Sequence, residues 1–112
     1  NDTVVVNTTA ESGILVSNVD TITDFATVAN SALNGDIINL SAIDANTVVA
    51  GDGNQTFTFI GTAAFTAAGQ IRYEQIGLDT IVQGNVNAGL GADFSIQLTG
   101  VTSALGAADF VL

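Results

Sequence analysis

The stretch "QIRYEQIGLDTIVQGNVNAGLGADFSIQL", residues 70–98, decides how the chain is read. Ile71 and Tyr73 flank Arg72, and Phe94, Ile96 and Leu98 alternate with Ser95 and Gln97. Side chains spaced by two leave an extended chain on the same face, so these runs are predicted as strands with one face buried. Phe57, Thr58 and Phe59 repeat the pattern upstream. Working outward, short apolar runs recur between Gly, Asn, Asp and Ser: "TVVV" (3–6), "GILVS" (13–17), "DIINL" (36–40), "TFTFI" (56–60), "DTIVQ" (79–83) and "DFVL" (109–112). β-Branched residues in closely spaced short runs predict an all-β fold, a β-roll or β-sandwich-like domain with one or two short helices. The main helical candidate is "TDFATVANSALNGD" (23–36), where Phe25, Val28, Ala29 and Leu33 share a helical face between an N-cap at Thr23 or Asp24 and a stop at Gly35. A single turn opened by Ser41 is the second, and residues 63–68 read as a short turn or loop.

A chain of 112 residues suits one domain, 1–112, with a single core. Hydrophobic residues make up 47% and charged ones 11%, so Ser, Thr, Asn, Gln and Gly must cover much of the surface. Eleven acidic residues face one cation, Arg72, for a net charge of -10. That balance argues against nucleic acid, whose phosphates need several Lys or Arg. It suits a divalent cation, above all calcium, which takes Asp and Asn oxygens; solubility by negative charge is the alternative. With no Cys and no His, disulfides, thiolate or imidazole metal sites and Ser-His-Asp triads are excluded. A carboxylate pair for glycoside hydrolysis would lack its aromatic cleft, since there is no Trp and one Tyr. The chain is therefore expected not to be an enzyme.

No apolar run approaches the ~20 residues of a membrane helix, so no membrane span is expected. "NDTVVVNT" at the start lacks a basic segment and a long apolar one, which leaves a removed signal, a fragment, or another export route open. The absence of Pro and Lys takes two usual guards from strand edges, so an exposed edge is expected to accept a neighbouring strand.

Two acidic patterns invite a metal reading. In "GNVNAGLGADF" (84–94), Asn85, Asn87 and Asp93 keep the frame of a calcium loop, but Gly89 has no side chain at a ligand position. A Gly/Asn turn leading into the strand at 94–98 is the preferred alternative. In "DTITDF", Asp20 and Asp24 lie four residues apart, as ligands or as a turn residue and a helix cap.

The blocks "DTITDF", "DIINLSAIDAN", "FTFIGTAAFTAAGQIRYE", "GNVNAGLGADFSIQLTGV" and "ADFVL", taken in order, resemble the C-terminal domain of serralysin-type RTX proteins (peptidase M10 C-terminal), which type I secretion exports. "NDTVVV" resembles the last strand of an RTX β-roll, with Asp2 as the repeat aspartate and Val4 as the inward apolar residue. The resemblance implies a non-catalytic capping and secretion module of an extracellular or cell-surface protein, exported by the type I machinery of a Gram-negative cell. It also implies calcium near Asp2, Asp20, Asp24, Asp36 and Asn39, and an exporter signal at Asp109, Phe110, Val111 and Leu112. On the residues alone, Phe110 and Leu112 read as inward positions of a last strand, and both roles are compatible. The chain departs from the family in having Asn39 where an Asp is common, a longer link between Asp24 and Asp36, and a loop at 85–93 with decayed ligands. The zinc motif H-E-x-x-H is impossible without His, so a metallopeptidase would need an upstream catalytic region. A self-assembling subunit of a surface layer or filament, pairing through "TVVV" and "DFVL", is the other reading.

Overall fold

A computed structural model describes residues 2–14, 18–27 and 35–112. Its centre is an antiparallel ribbon within residues 70–98, where strands with one buried face were expected. Strand β5 (Gln70–Ile76) pairs with β6 (Asp79–Asn85), which pairs with β7 (Phe94–Leu98). The β5–β6 connection is two residues long: Gly77 at φ 65 supplies the positive φ that a type II′ hairpin turn needs first, and Leu78 follows. Alternation holds on the inner face, where Ile71, Tyr73, Thr80, Val82, Phe94, Ile96 and Leu98 are buried. Gly84 pairs with Phe94, and a Cβ there would lie 2.2 Å from the phenylalanine ring, so close packing of ring on backbone requires glycine at this point.

Two short strands extend the ribbon in parallel, β2 (Asp20–Ile22) beside β7 and β4 (Thr58–Phe59) beside β5, giving the five-stranded order β2-β7-β6-β5-β4. A second, three-stranded sheet is parallel throughout: β1 (Thr3–Val5), β3 (Ile37–Asn39) and β8 (Phe110–Val111), in the order β1-β3-β8. The sheets share one core, in which Val6, Ile38, Leu40 and Phe110 meet Phe57, Ile71, Val82 and Phe94. Aromatic contacts join them: Phe59 lies 5.3 Å from Phe110 and is stacked on Tyr73 at 6.2 Å. The all-β expectation holds, and among the described residues the single helical element is a 3-10 turn, Ala107–Asp109.

Several local expectations change. The helix predicted over 23–36 falls largely on residues 28–34, outside the described residues; 23–27, 35 and 36 carry no helix. The turn after β3 exists, with Ile43 N–H on the Leu40 carbonyl at 2.9 Å, but Asn39 opens it: its Oδ1 accepts from Ser41 N at 3.0 Å and Ser41 Oγ at 2.7 Å. An Asx side chain thus does the work assigned to Ser41. In "GILVS", Gly13 and Ile14 are not in a strand and 15–17 lie outside the described residues. Strand β2 was not anticipated, because a three-residue "DTI" shows no period; pairing with β7 makes it a strand, and Thr99 N–H on the Ile22 carbonyl at 2.8 Å ends the ladder. Ser95, expected to face outward, is buried, and the Ser12 hydroxyl donates to its carbonyl.

Candidate functional site

The loop 86–93 between β6 and β7 is where the sequence comes nearest to a metal motif, and the structure does bring Asn85, Asn87 and Asp93 together. Asp93 accepts from Val86 N–H at 2.7 Å with one carboxylate oxygen and from the Asn87 amide with the other. Asn85 Oδ1 accepts Asn87 N–H at 3.1 Å, and Asn87 Oδ1 accepts Gly89 N–H at 2.6 Å. Each oxygen in the ligand frame is thus turned onto a donor of the loop itself, and Leu90 at φ 52 completes the reversal. Asn85 is fully buried, with its amide on the Ala67 carbonyl at 3.3 Å, so it also holds the 61–69 loop against the ribbon. The result is a turn stapled by one carboxylate.

The other five candidates do not converge. Asp36 is buried just before β3, and its carboxylate bridges two segments, accepting from Asp2 N–H at 2.5 Å and Ala26 N–H at 2.8 Å. Those two N–H groups, Ala26 first, hold its pKa below the ordinary 3.8 against the opposing effect of burial. Asp2 contributes its backbone here, while its side chain is exposed, as are Asp20 on β2 and Asp24 beyond it. Asn39 spends its oxygen on Ser41. Among the described residues no group of three or more acidic side chains gathers as a metal site would require.

The tail residues are part of the fold. The Asp109 carboxylate, 1% exposed, accepts Gly106 N–H at 2.7 Å and closes the 3-10 turn. Phe110 is buried against Phe59, Leu112 packs on the core, and Val111 is 41% exposed. Leu40 N–H donates to the Val111 carbonyl at 2.8 Å, which seats β8 on β3.

Other structural side chains escaped the reading of the sequence. Asp79 accepts from Gln97 Nε2 and Gly100 N–H, both at 2.9 Å, and Asp44 from Asn46 N–H at 3.1 Å and Gln55 N–H at 3.3 Å. Ser12 Oγ accepts Asp20 N–H at 2.8 Å while donating to Ser95. Much of the acidic excess therefore serves as backbone acceptor, a role signalled locally in "DAN" (44–46), where an Asp stands two residues before the N–H it accepts. Arg72, the one cation, spreads over the 61–69 loop: it donates to the Ala63 carbonyl at 2.8 Å, the Thr62 carbonyl at 3.3 Å and Gln83 at 2.5 Å, and its guanidinium lies 5.9 Å from the Phe65 ring centre.

The concave surfaces are shallow. One of them, about 410 Å³, lies between Asn46, Val48, Thr66–Ala68, Ala88 and Leu90 and is lined by no charged side chain. No helix among the described residues is long and apolar enough to cross a membrane. No known protein-family model matches the chain, and no curated protein aligns with it at a significant level.

Proposed function

We propose that the chain is a non-catalytic module of an RTX-like exported protein at the cell surface or outside the cell, addressed by residues 109–112 to a type I exporter and folding after transit. The observation that carries this reading is the double employment of Asp109–Leu112. As unfolded chain they form an acidic residue followed by three apolar ones, and in the folded chain Asp109 and Phe110 are buried and β8 completes a sheet. The address is therefore readable before folding and withdrawn after it. The capping role draws support from β1, which resembles a roll strand and is an edge strand of a sheet with the parallel polarity that a preceding roll would meet. A non-catalytic role agrees with the lack of His and Cys and with carboxylates committed to backbone N–H groups.

Export assays separate signal from fold. Removal of residues 109–112 is expected to abolish export. Phe59→Ala, which removes the ring packed on Phe110 and leaves the tail intact, is expected to lower thermal stability and leave export unchanged. Undiminished export of the truncated chain would refute the reading.

A further inference from the structure

The two edges of the parallel sheet fit one another. From its partners, Val111 turns its backbone groups toward β3, which leaves the Phe110 carbonyl and the Leu112 N–H directed outward. The Phe110 N–H is engaged within its own turn, on the Ala107 carbonyl. On the opposite edge, Ile37 N–H to the Asp2 carbonyl and Val6 N–H to the Asn39 carbonyl place Asp2 and Val6 toward β3, so Thr3 and Val5 direct theirs outward. A parallel ladder bonds the N–H and C=O of one residue to the residues before and after its partner. If Val5 lies opposite Val111 of another molecule, Val5 N–H reaches the Phe110 carbonyl and Leu112 N–H reaches the Val5 carbonyl.

The same register is favoured by the side chains. Val5, Asn39 and Val111 form one row across the outer face of the sheet, and its two ends are exposed valines, 51% and 41%. Head-to-tail pairing buries each valine against the other and continues the row. No strand among the described residues lies beyond β1 or β8, and neither edge strand contains the Lys or Pro that would block one.

We infer that the folded chain binds a second copy of itself through its β8 edge on the partner's β1 edge, in parallel and with Val111 beside Val5. This goes beyond the export reading and is independent of it, since export concerns the unfolded chain, but it competes with the capping role, which needs the same β1 edge. The interface is heterologous, so a third copy adds as the second did, and growth continues unless the rotation closes a ring. The net charge of -10 on every copy opposes it. Salt therefore promotes it, because the screening length shrinks from about 10 Å at 0.1 M to about 3 Å at 1 M.

Sedimentation of the 112-residue chain tests the pairing. Average mass is expected to rise continuously with concentration, with the midpoint about tenfold lower at 1 M than at 0.1 M salt. Val5→Lys and Val111→Lys change exposed side chains and are each expected to be monomeric, whereas their equimolar mixture forms dimers and nothing larger, because one compatible pair of edges remains. Dimers of Val111→Lys alone, or of Val5→Lys alone, would show a symmetric interface and overturn the proposal. Assembly of both variants like the parent would also overturn it, and so would monomers under all conditions, which would leave the β1 edge to a preceding parallel coil. A second measurement does not depend on those variants. The chain has no Cys, so Val5→Cys with Val111→Cys should give a disulfide ladder on oxidation, neighbouring strands being about 4.8 Å apart. Within one molecule β3 separates the two positions. Absence of the ladder in the associating salt condition overturns the register.

Discussion

Replacing Asp36 by Asn tests whether a buried carboxylate, rather than a metal, fastens the start of the chain to the sheet. Asp36 has an oxygen for each of two N–H groups, Asp2 at 2.5 Å and Ala26 at 2.8 Å. An amide keeps one acceptor and turns a second donor on the other N–H. A hydrogen bond to a charged group contributes about 1.5–3 kcal/mol, and a buried donor left without a partner costs about 1–3 kcal/mol, so a net loss of about 2 kcal/mol is expected at neutral pH. For a domain of this size, that lowers the thermal midpoint by roughly 8–12 °C. Because the folded pKa of Asp36 lies below 3.8, its contribution is complete above the unfolded value and is lost as pH falls through the folded one. Thermal unfolding of parent and variant, followed by circular dichroism from pH 7 downward, should therefore show two curves that converge at the acid end. Equal midpoints at pH 7 would refute the reasoning, as would a gap that persists unchanged once the carboxylate is protonated.

Five further outcomes are expected. Gly84→Ala drives a Cβ to within 2.2 Å of the Phe94 ring and should cost about 1–3 kcal/mol in chemical denaturation, in line with overpacked cores. Ser12→Ala removes a buried hydroxyl that joins Asp20 N–H to the Ser95 carbonyl and should cost about 1–2 kcal/mol by the same assay. Arg72→Lys keeps the charge but loses the fork that spans Thr62, Ala63 and Gln83, and limited proteolysis should cut the 61–69 loop several-fold faster, roughly the effect of 1 kcal/mol. For metal, millimolar calcium is expected to leave the parent's thermal midpoint unchanged from that in chelator. Asn87→Asp, which sets a second carboxylate against Asp93, should be destabilised in chelator and recover with calcium.

Legibility from sequence follows the range of the forces involved. Strands β5, β6 and β7 could be read because alternation is local: Ile71 and Tyr73, or Phe94, Ile96 and Leu98, announce a buried face without reference to the rest of the chain. Strand β2 and the burial of Ser95 were not legible, since each depends on a segment far away in the chain lying alongside β7.

The acidic residues divide along the same line. Sequence by itself determined an all-β chain with one cation, no catalytic imidazole or thiol, and an excess of carboxylates suited to a hard ion or to an N–H donor. Which of the two each carboxylate meets was decided only by tertiary structure. Asp36 is 34 residues from one of its donors, and Asp93 closes a loop that the sequence frames as a calcium site. The edges of the parallel sheet belong to the same class of fact. "TVVV" and "DFVL" are recognisable as strands alone, but their places on opposite sides of β3, with Val5 and Val111 ending one row, arise from pairings of Asn39 with Val5, 34 residues before it, and with Val111, 72 residues after it. A carboxylate or a strand edge carries no record of its partner in its own neighbourhood, because the partner is chosen by the geometry of the whole chain.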